Sequence, residues 1–154
     1  MKTLKNILFI DDESFFFGRV FKYLELKLNE KNTINLLPNN NEDYQNIISN
    51  MEGENYNLIL SYIKDLGIDI DLFIVDIFYT EKHKKNGFQF LKHLEDVDYN
   101  KGKYDFILLT NAETLDGYNL SKYTIEKVPC VWKSNLGSYA TTLGIVEEIK
   151  KIYI

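Results

Sequence analysis

The sequence predicts an α/β fold, a mostly parallel sheet covered by helices on both faces. Three observations carry the prediction. Short apolar runs of the kind that form fully buried strands recur along the chain, and amphipathic helical stretches separate them. Each strand candidate is followed by a helical one, the alternation expected of parallel strands joined by crossovers. The composition is that of a folded chain: 45% hydrophobic, with only Gly 8 and Pro 2 in 154 residues, so linker or tail character is excluded.

The elements follow in order. Leu4 to Ile10 contains the run Ile7-Leu8-Phe9-Ile10, which stops at Asp11-Asp12 and reads as a buried strand. Ser14 offers a helix cap, and Phe17, Val20, Phe21, Leu24 and Leu28 then recur at helical spacing up to about Asn29. Thr33 to Leu37 is a second short strand, ended by Pro38 and three asparagines. Tyr44, Ile47, Ile48 and Met51 give a helical face, Gly53-Glu54-Asn55 a break, and Leu58, Ile59, Tyr62, Ile63 and Leu66 a further face. This is two helical pieces or one helix with an irregular middle. The extended stretch from Asn39 to Asp71 reads as a longer helix rather than a special surface.

Leu72-Phe73-Ile74-Val75 is the strongest buried-strand signal, and it ends in Asp76. A polar loop from Thr80 to Asn86 leads to Gly87 and a helical face of Phe90, Leu91, Leu94 and Val97. Phe106-Ile107-Leu108-Leu109 is the next strand, ending at Thr110-Asn111, and Glu113 to Lys122 is a weaker helix. Val128 to Trp132 is a short strand ending at Lys133, and a final amphipathic helix runs from Ser138 through Tyr139, Thr142, Leu143, Val146, Ile149 and Tyr153. Nothing between these elements reads as a linker or repeat, so residues 1–154 are expected to form a single domain.

Charge and cysteine content narrow the function classes. With 18 basic and 23 acidic side chains the formal charge is −5, which disfavours bulk attraction to nucleic acid or anionic lipid. The run Lys82-His83-Lys84-Lys85 reads as a solvated loop. One cysteine, Cys130, and two histidines exclude an internal disulfide and argue against a zinc site. The apolar stretch before Asp11 is too short for a signal peptide, and no run approaches a membrane span, so a cytoplasmic protein without membrane insertion is expected. No glycine-rich phosphate loop follows the first strand, and no Ser-His-Asp set is evident.

In a parallel sheet the carboxyl ends of the strands share one edge, where ligands bind. Asp11-Asp12, Asp76, Thr110 and Lys133 all stand at such ends. Singly, each reads as a cap, a turn residue or an exposed lysine. Together they form a set suited to phosphoryl transfer with a metal. Clustered carboxylates resist ionising together, and Mg²⁺ relieves that cost through oxygen ligands. A carboxylate can accept a phosphoryl group, while a lysine and a hydroxyl suit its oxygens.

These residues and their order resemble the receiver domain of two-component response regulators, over nearly the whole chain. Ile7-Leu8-Phe9-Ile10-Asp11-Asp12-Glu13 resembles the family's first strand and acidic pair; Leu72-Phe73-Ile74-Val75-Asp76 resembles its third strand and phosphoacceptor. Gly87-Phe88, Ile107-Leu108-Leu109-Thr110 and Val131-Trp132-Lys133 are similar to the glycine opening the third helix, the hydroxyl-bearing fourth strand and the lysine-bearing fifth. The resemblance implies the flavodoxin-like strand order 2-1-3-4-5. It implies Mg²⁺, with Mn²⁺ as a substitute, held by Asp11, Asp12, Asp76 and the backbone carbonyl of Phe78. Asp76 would take a phosphoryl group from a phosphohistidine on a sensor histidine kinase or a histidine phosphotransfer protein, with Thr110 and Lys133 assisting. Such a chain would phosphorylate itself from a donor, and lose the group again, without being a conventional turnover enzyme. A downstream protein partner would read the change on the surface of the Glu113–Lys122 helix, the last strand and the last helix. The sequence carries no signature of oligomeric state. Tyr79 and Thr80, Cys130 and Ser134 depart from the family's usual residues, which motivates an alternative, a phosphorylation-independent interaction module of the same fold.

Overall fold

The computed structural model describes residues 3–30, 33–77, 86–110, 128–133 and 137–153. Among them are β1 (Asn6–Ile10), α1 (Ser14–Leu28), β2 (Asn35–Leu37), α2 (Asn41–Glu52), α3 (Tyr56–Asp65), β3 (Leu72–Asp76), α4 (Asn86–Asp96), β4 (Asp105–Thr110), β5 (Cys130–Trp132) and α5 (Ser138–Tyr153). The helix expected over Glu113–Lys122 lies outside the described residues.

All strand pairs are parallel, and the order is β2-β1-β3-β4-β5. The five-stranded sheet and its order agree with expectation. Continuous apolar runs form the central strands because successive side chains point to opposite faces and both faces are covered. Ile7, Leu8, Phe9 and Ile10 are each 0% exposed, as are Leu72 to Val75, which is possible only with helices on both sides. On one side α1 packs on α5; elsewhere α2 packs on α3 and on α4. Phe73 anchors one half of the core, with its ring against those of Phe90, Tyr99, Tyr104 and Phe106.

Between β2 and β3 the structure selects the first of the two readings, two helical pieces, over one helix with an irregular middle. The stretch is not a longer helix but two helices, α2 and α3, which pack on each other. The α2 cap is conventional: Asn40 accepts a hydrogen bond from the Asp43 amide at 2.9 Å. The helix stops at Gly53, and Glu54 then takes φ +60°, a left-handed turn that no continuous helix can carry. Tyr44, Ile47, Ile48 and Met51 of α2 and Ile59 and Ile63 of α3 are buried, so each piece keeps its own apolar face.

One glycine sets the geometry of the sheet edge. Gly87, in the first turn of α4, donates its amide to the Ile77 carbonyl at 3.1 Å. A Cβ there would fall on the Asp76 carbonyl oxygen and crowd the Ile77 Cα at 2.9 Å. The obstacle is backbone, which cannot swing aside. Gly87→Ala is therefore expected to destabilise the fold by about 2–3 kcal/mol and to disturb the end of β3, read as a lowered urea midpoint.

Candidate acidic site at the carboxyl edge of the sheet

Register brings distant residues together. Ile10 pairs with Val75, Asp76 with Leu109, and Thr110 with Trp132. The residues one step past these pairs therefore emerge side by side at one edge: Asp11 beside Asp76, then Thr110, then Lys133. Two backbone bonds tie the edge, from the Ile77 amide to the Leu109 carbonyl at 3.0 Å and from the Lys133 amide to the Thr110 carbonyl at 2.7 Å.

Asp11, Asp12 and Asp76 each present a carboxylate oxygen, and the three oxygens lie within 4.8 Å of one another. The Lys133 ammonium sits 2.9 Å from Asp11 Oδ2 and 3.0 Å from Asp76 Oδ1. Its side chain is 6% exposed, those of Asp11 and Asp76 0% and 10%. Asp11 is further fixed by the Glu13 amide, which donates to Oδ1 at 2.9 Å, and the Tyr44 hydroxyl donates to its backbone carbonyl at 2.6 Å. Thr110 is buried at the end of β4.

One ammonium stands among four carboxylates, those of Asp11, Asp12, Asp76 and Glu13, and the electrostatics reflect the imbalance. Burial, and then repulsion from Asp76, push the Asp11 carboxyl up to about 8 against the pull of Lys133. Asp12 is exposed, and partial desolvation raises its carboxyl more weakly, again against Lys133. For Lys133 burial works the other way, but Asp76 and Asp11 outweigh it and push its pKa above that of a free lysine. The donor set contains only oxygen and carries excess negative charge, which fits a hard divalent cation. Asp11, Asp12 and Asp76 could hold one.

A pH dependence follows. A proton on Asp11 competes with a cation, so Mg²⁺ affinity is expected to rise as pH climbs toward about 8 and to level off above it. Without metal the sign is opposite for stability. A folded-state pKa raised above 3.8 means the folded chain binds more protons between the two values, so this group's contribution to stability falls as pH rises through that window. Calorimetric Mg²⁺ titrations from pH 6 to 9 at fixed ionic strength check the first statement.

Of the residues singled out in the sequence, Asp11, Asp12, Asp76 and Lys133 converge, and Thr110 borders them through its backbone bond to Lys133. Phe78, Tyr79, Thr80, the Lys82–Lys85 run with His83, and Ser134 lie outside the described residues. His93 is spent locally, with Nε2 at 2.8 Å from Asn57 Oδ1. Cys130 is half-buried in β5, and burial raises its thiol pKa. Glu13, Phe16 and Tyr44 reach the site although sequence reasoning assigned them no role there.

No protein-family model and no curated protein matches the sequence. Among solved structures, the signal receiver domain of an HD domain-containing protein from Pseudomonas fluorescens Pf-5 superposes on the chain with a TM-score of 0.50 at 12% identity, over 97% of each chain. The chain has the receiver fold. At this identity the likeness speaks for architecture, and it agrees with the parallel sheet in the order β2-β1-β3-β4-β5. Within the receiver fold, the acidic cluster occupies the edge where the strand order reverses between β1 and β3, the usual ligand position of such sheets. Among the described residues no helix is long and apolar enough to cross a membrane.

Proposed function

We propose that this chain is a single phosphoacceptor receiver domain, in which Asp76 takes a phosphoryl group from a phosphohistidine on a histidine kinase or phosphotransfer protein. One observation carries the reading: a buried lysine bridges two buried carboxylates from different strands, with a third carboxylate beside them. Such a group costs stability in a purely structural protein, where apolar packing of equal volume serves as well or better. Its position at the ligand edge of the sheet supports a chemical role.

In the proposed reaction an Asp76 carboxylate oxygen attacks phosphorus. The new P–O bond forms as the P–N bond breaks, and the imidazole leaves with the electron pair and is protonated. No general base is needed, because the nucleophile is already a carboxylate. Burial between β1 and β4 holds Asp76 in place, which lowers the entropic cost of an in-line approach. Lys133 follows the charge onto the phosphoryl oxygens, and Thr110 donates to another of them. Asp11 and Asp12, with Asp76 and the Phe78 carbonyl, would hold Mg²⁺, or Mn²⁺ in its place, which neutralises negative charge on the phosphoryl group. A downstream protein partner would read the resulting change; no direct nucleic-acid contact is proposed.

The test is incubation with a small-molecule phosphodonor, followed by intact-mass analysis. One phosphoryl increment is expected with Mg²⁺ and none with a chelator. Failure to label with several donors would favour a phosphorylation-independent interaction module.

A further inference from the structure

Glu13 occupies the N-cap position of α1, but its side chain makes no capping hydrogen bond. Ser, Thr, Asp or Asn at that place would satisfy a free helix amide, and glutamate is a poor substitute. The backbone still serves the helix, with the Glu13 carbonyl accepting from the Phe17 amide at 2.8 Å. The carboxylate instead turns to the site and lies 3.3 Å from the Lys133 ammonium. On the same first turn, the Phe16 ring lies beneath that ammonium, its centroid 4.8 Å from Nζ. A position that breaks a local rule commonly does so for a site.

The placement matters because Lys133 sits between Asp11 and Asp76, the carboxylates that a divalent cation would claim. Two cations cannot share those oxygens without repulsion. A buried ammonium stripped of partners is costly, so it needs somewhere to go. Glu13 is not one of the three converging aspartates, and its side chain is 54% exposed. It can therefore keep the ammonium without competing for the metal.

We propose that Glu13 and Phe16 form a second seat for the Lys133 ammonium, taken when a divalent cation occupies the Asp11, Asp12 and Asp76 carboxylates. This rests on the metal site proposed above. Glu13 and Phe16 are positioning residues: they hold the lysine at the edge of the site while the carboxylates are engaged, ready for the phosphoryl oxygens.

The test is a double-mutant cycle read as Mg²⁺ affinity by calorimetry, at fixed ionic strength and without any phosphodonor. Glu13→Gln is expected to weaken Mg²⁺ binding roughly three- to tenfold in the native background and to have little effect in Lys133→Met. Phe16→Leu, which changes no charge, is expected to weaken it about two- to fivefold. Equal weakening by Glu13→Gln in both backgrounds would show a direct field effect and overturn the proposal, as would no effect in the native background. If the wild type binds no Mg²⁺, the metal site itself fails and the second seat with it, an outcome distinct from intact binding without coupling. A measurement independent of Lys133→Met uses ¹⁵N-lysine NMR. A protected Lys133 ammonium signal should persist in the Mg²⁺-saturated wild type and disappear in Mg²⁺-saturated Glu13→Gln. Loss of the signal in the saturated wild type would overturn the proposal.

Discussion

Asp76→Asn is expected to cut phosphodonor labelling by on the order of a thousandfold or more while leaving the fold intact. The amide is nearly isosteric with the carboxylate but is no nucleophile. The site should tolerate it well. Asp76 is the second-largest cause of the raised Asp11 pKa, so removing its charge relieves repulsion and lets Asp11 ionise more readily. The Lys133 ammonium keeps Asp11 as a partner at 2.9 Å and Glu13 at 3.3 Å. Unfolding midpoints near the wild-type value, together with lost labelling, would separate a chemical role from a structural one. A variant that labels as fast as wild type would end the acceptor assignment.

Lys133→Met should act in the opposite sense, on stability first. Met matches the stem of lysine but leaves Asp11 and Asp76 buried without their shared cation. Breaking a buried ion pair from one side costs about 3–5 kcal/mol, and protonation of Asp11 offsets part of it, so a loss of about 3 kcal/mol is expected near neutral pH. The loss should grow with pH, because Lys133 lowers the Asp11 pKa and its removal makes ionisation dearer still. Mg²⁺ should restore much of the stability by binding only the folded state, and more of it than in the wild type, where the ammonium competes. Urea unfolding at pH 6 and pH 8, with and without Mg²⁺, reads all of these effects. Transfer should be impaired in the same variant even where some label survives. Equal stability at both pH values without metal would contradict this account of the site's charge.

How far the fold could be read from the chain depended on burial. The runs in β1, β3 and β4 are nearly continuous apolar segments ended by a polar residue, which few other elements imitate. Those terminal residues also marked the sheet edge, since parallel strands must end together. Element ends were harder. Ser14 looked like the cap of α1, yet the helix begins at Ser14 with Glu13 as its cap residue, because the Glu13 carbonyl rather than a side chain closes the first turn. The two helices between β2 and β3 could not be told from one irregular helix, because the deciding feature is the backbone of Glu54 and not an apolar period. β5 is short, only Cys130–Trp132, and Trp132 is 44% exposed, so its pattern is weak.

The site divided along similar lines. Asp11, Asp12, Asp76 and Lys133 stand at strand ends, where topology alone brings them near each other. Glu13 and Phe16 approach through the first turn of α1 and Tyr44 from α2, and their contribution depends on where side chains turn. A glutamate after two aspartates reads as one more solvated acid. Its failure to cap the helix and its 3.3 Å approach to the Lys133 ammonium show that it is engaged elsewhere.

Trapping the acyl phosphate shows which residue carries the phosphoryl group. Wild-type protein incubated with phosphodonor and Mg²⁺ is quenched with borohydride, which reduces an aspartyl phosphate to homoserine, and its peptides are sequenced by mass spectrometry. Homoserine at position 76, dependent on Mg²⁺ and lost with chelator, is the predicted result. Homoserine at Asp11 or Asp12 instead, or Mg²⁺-dependent label elsewhere that survives in Asp76→Asn, would contradict it.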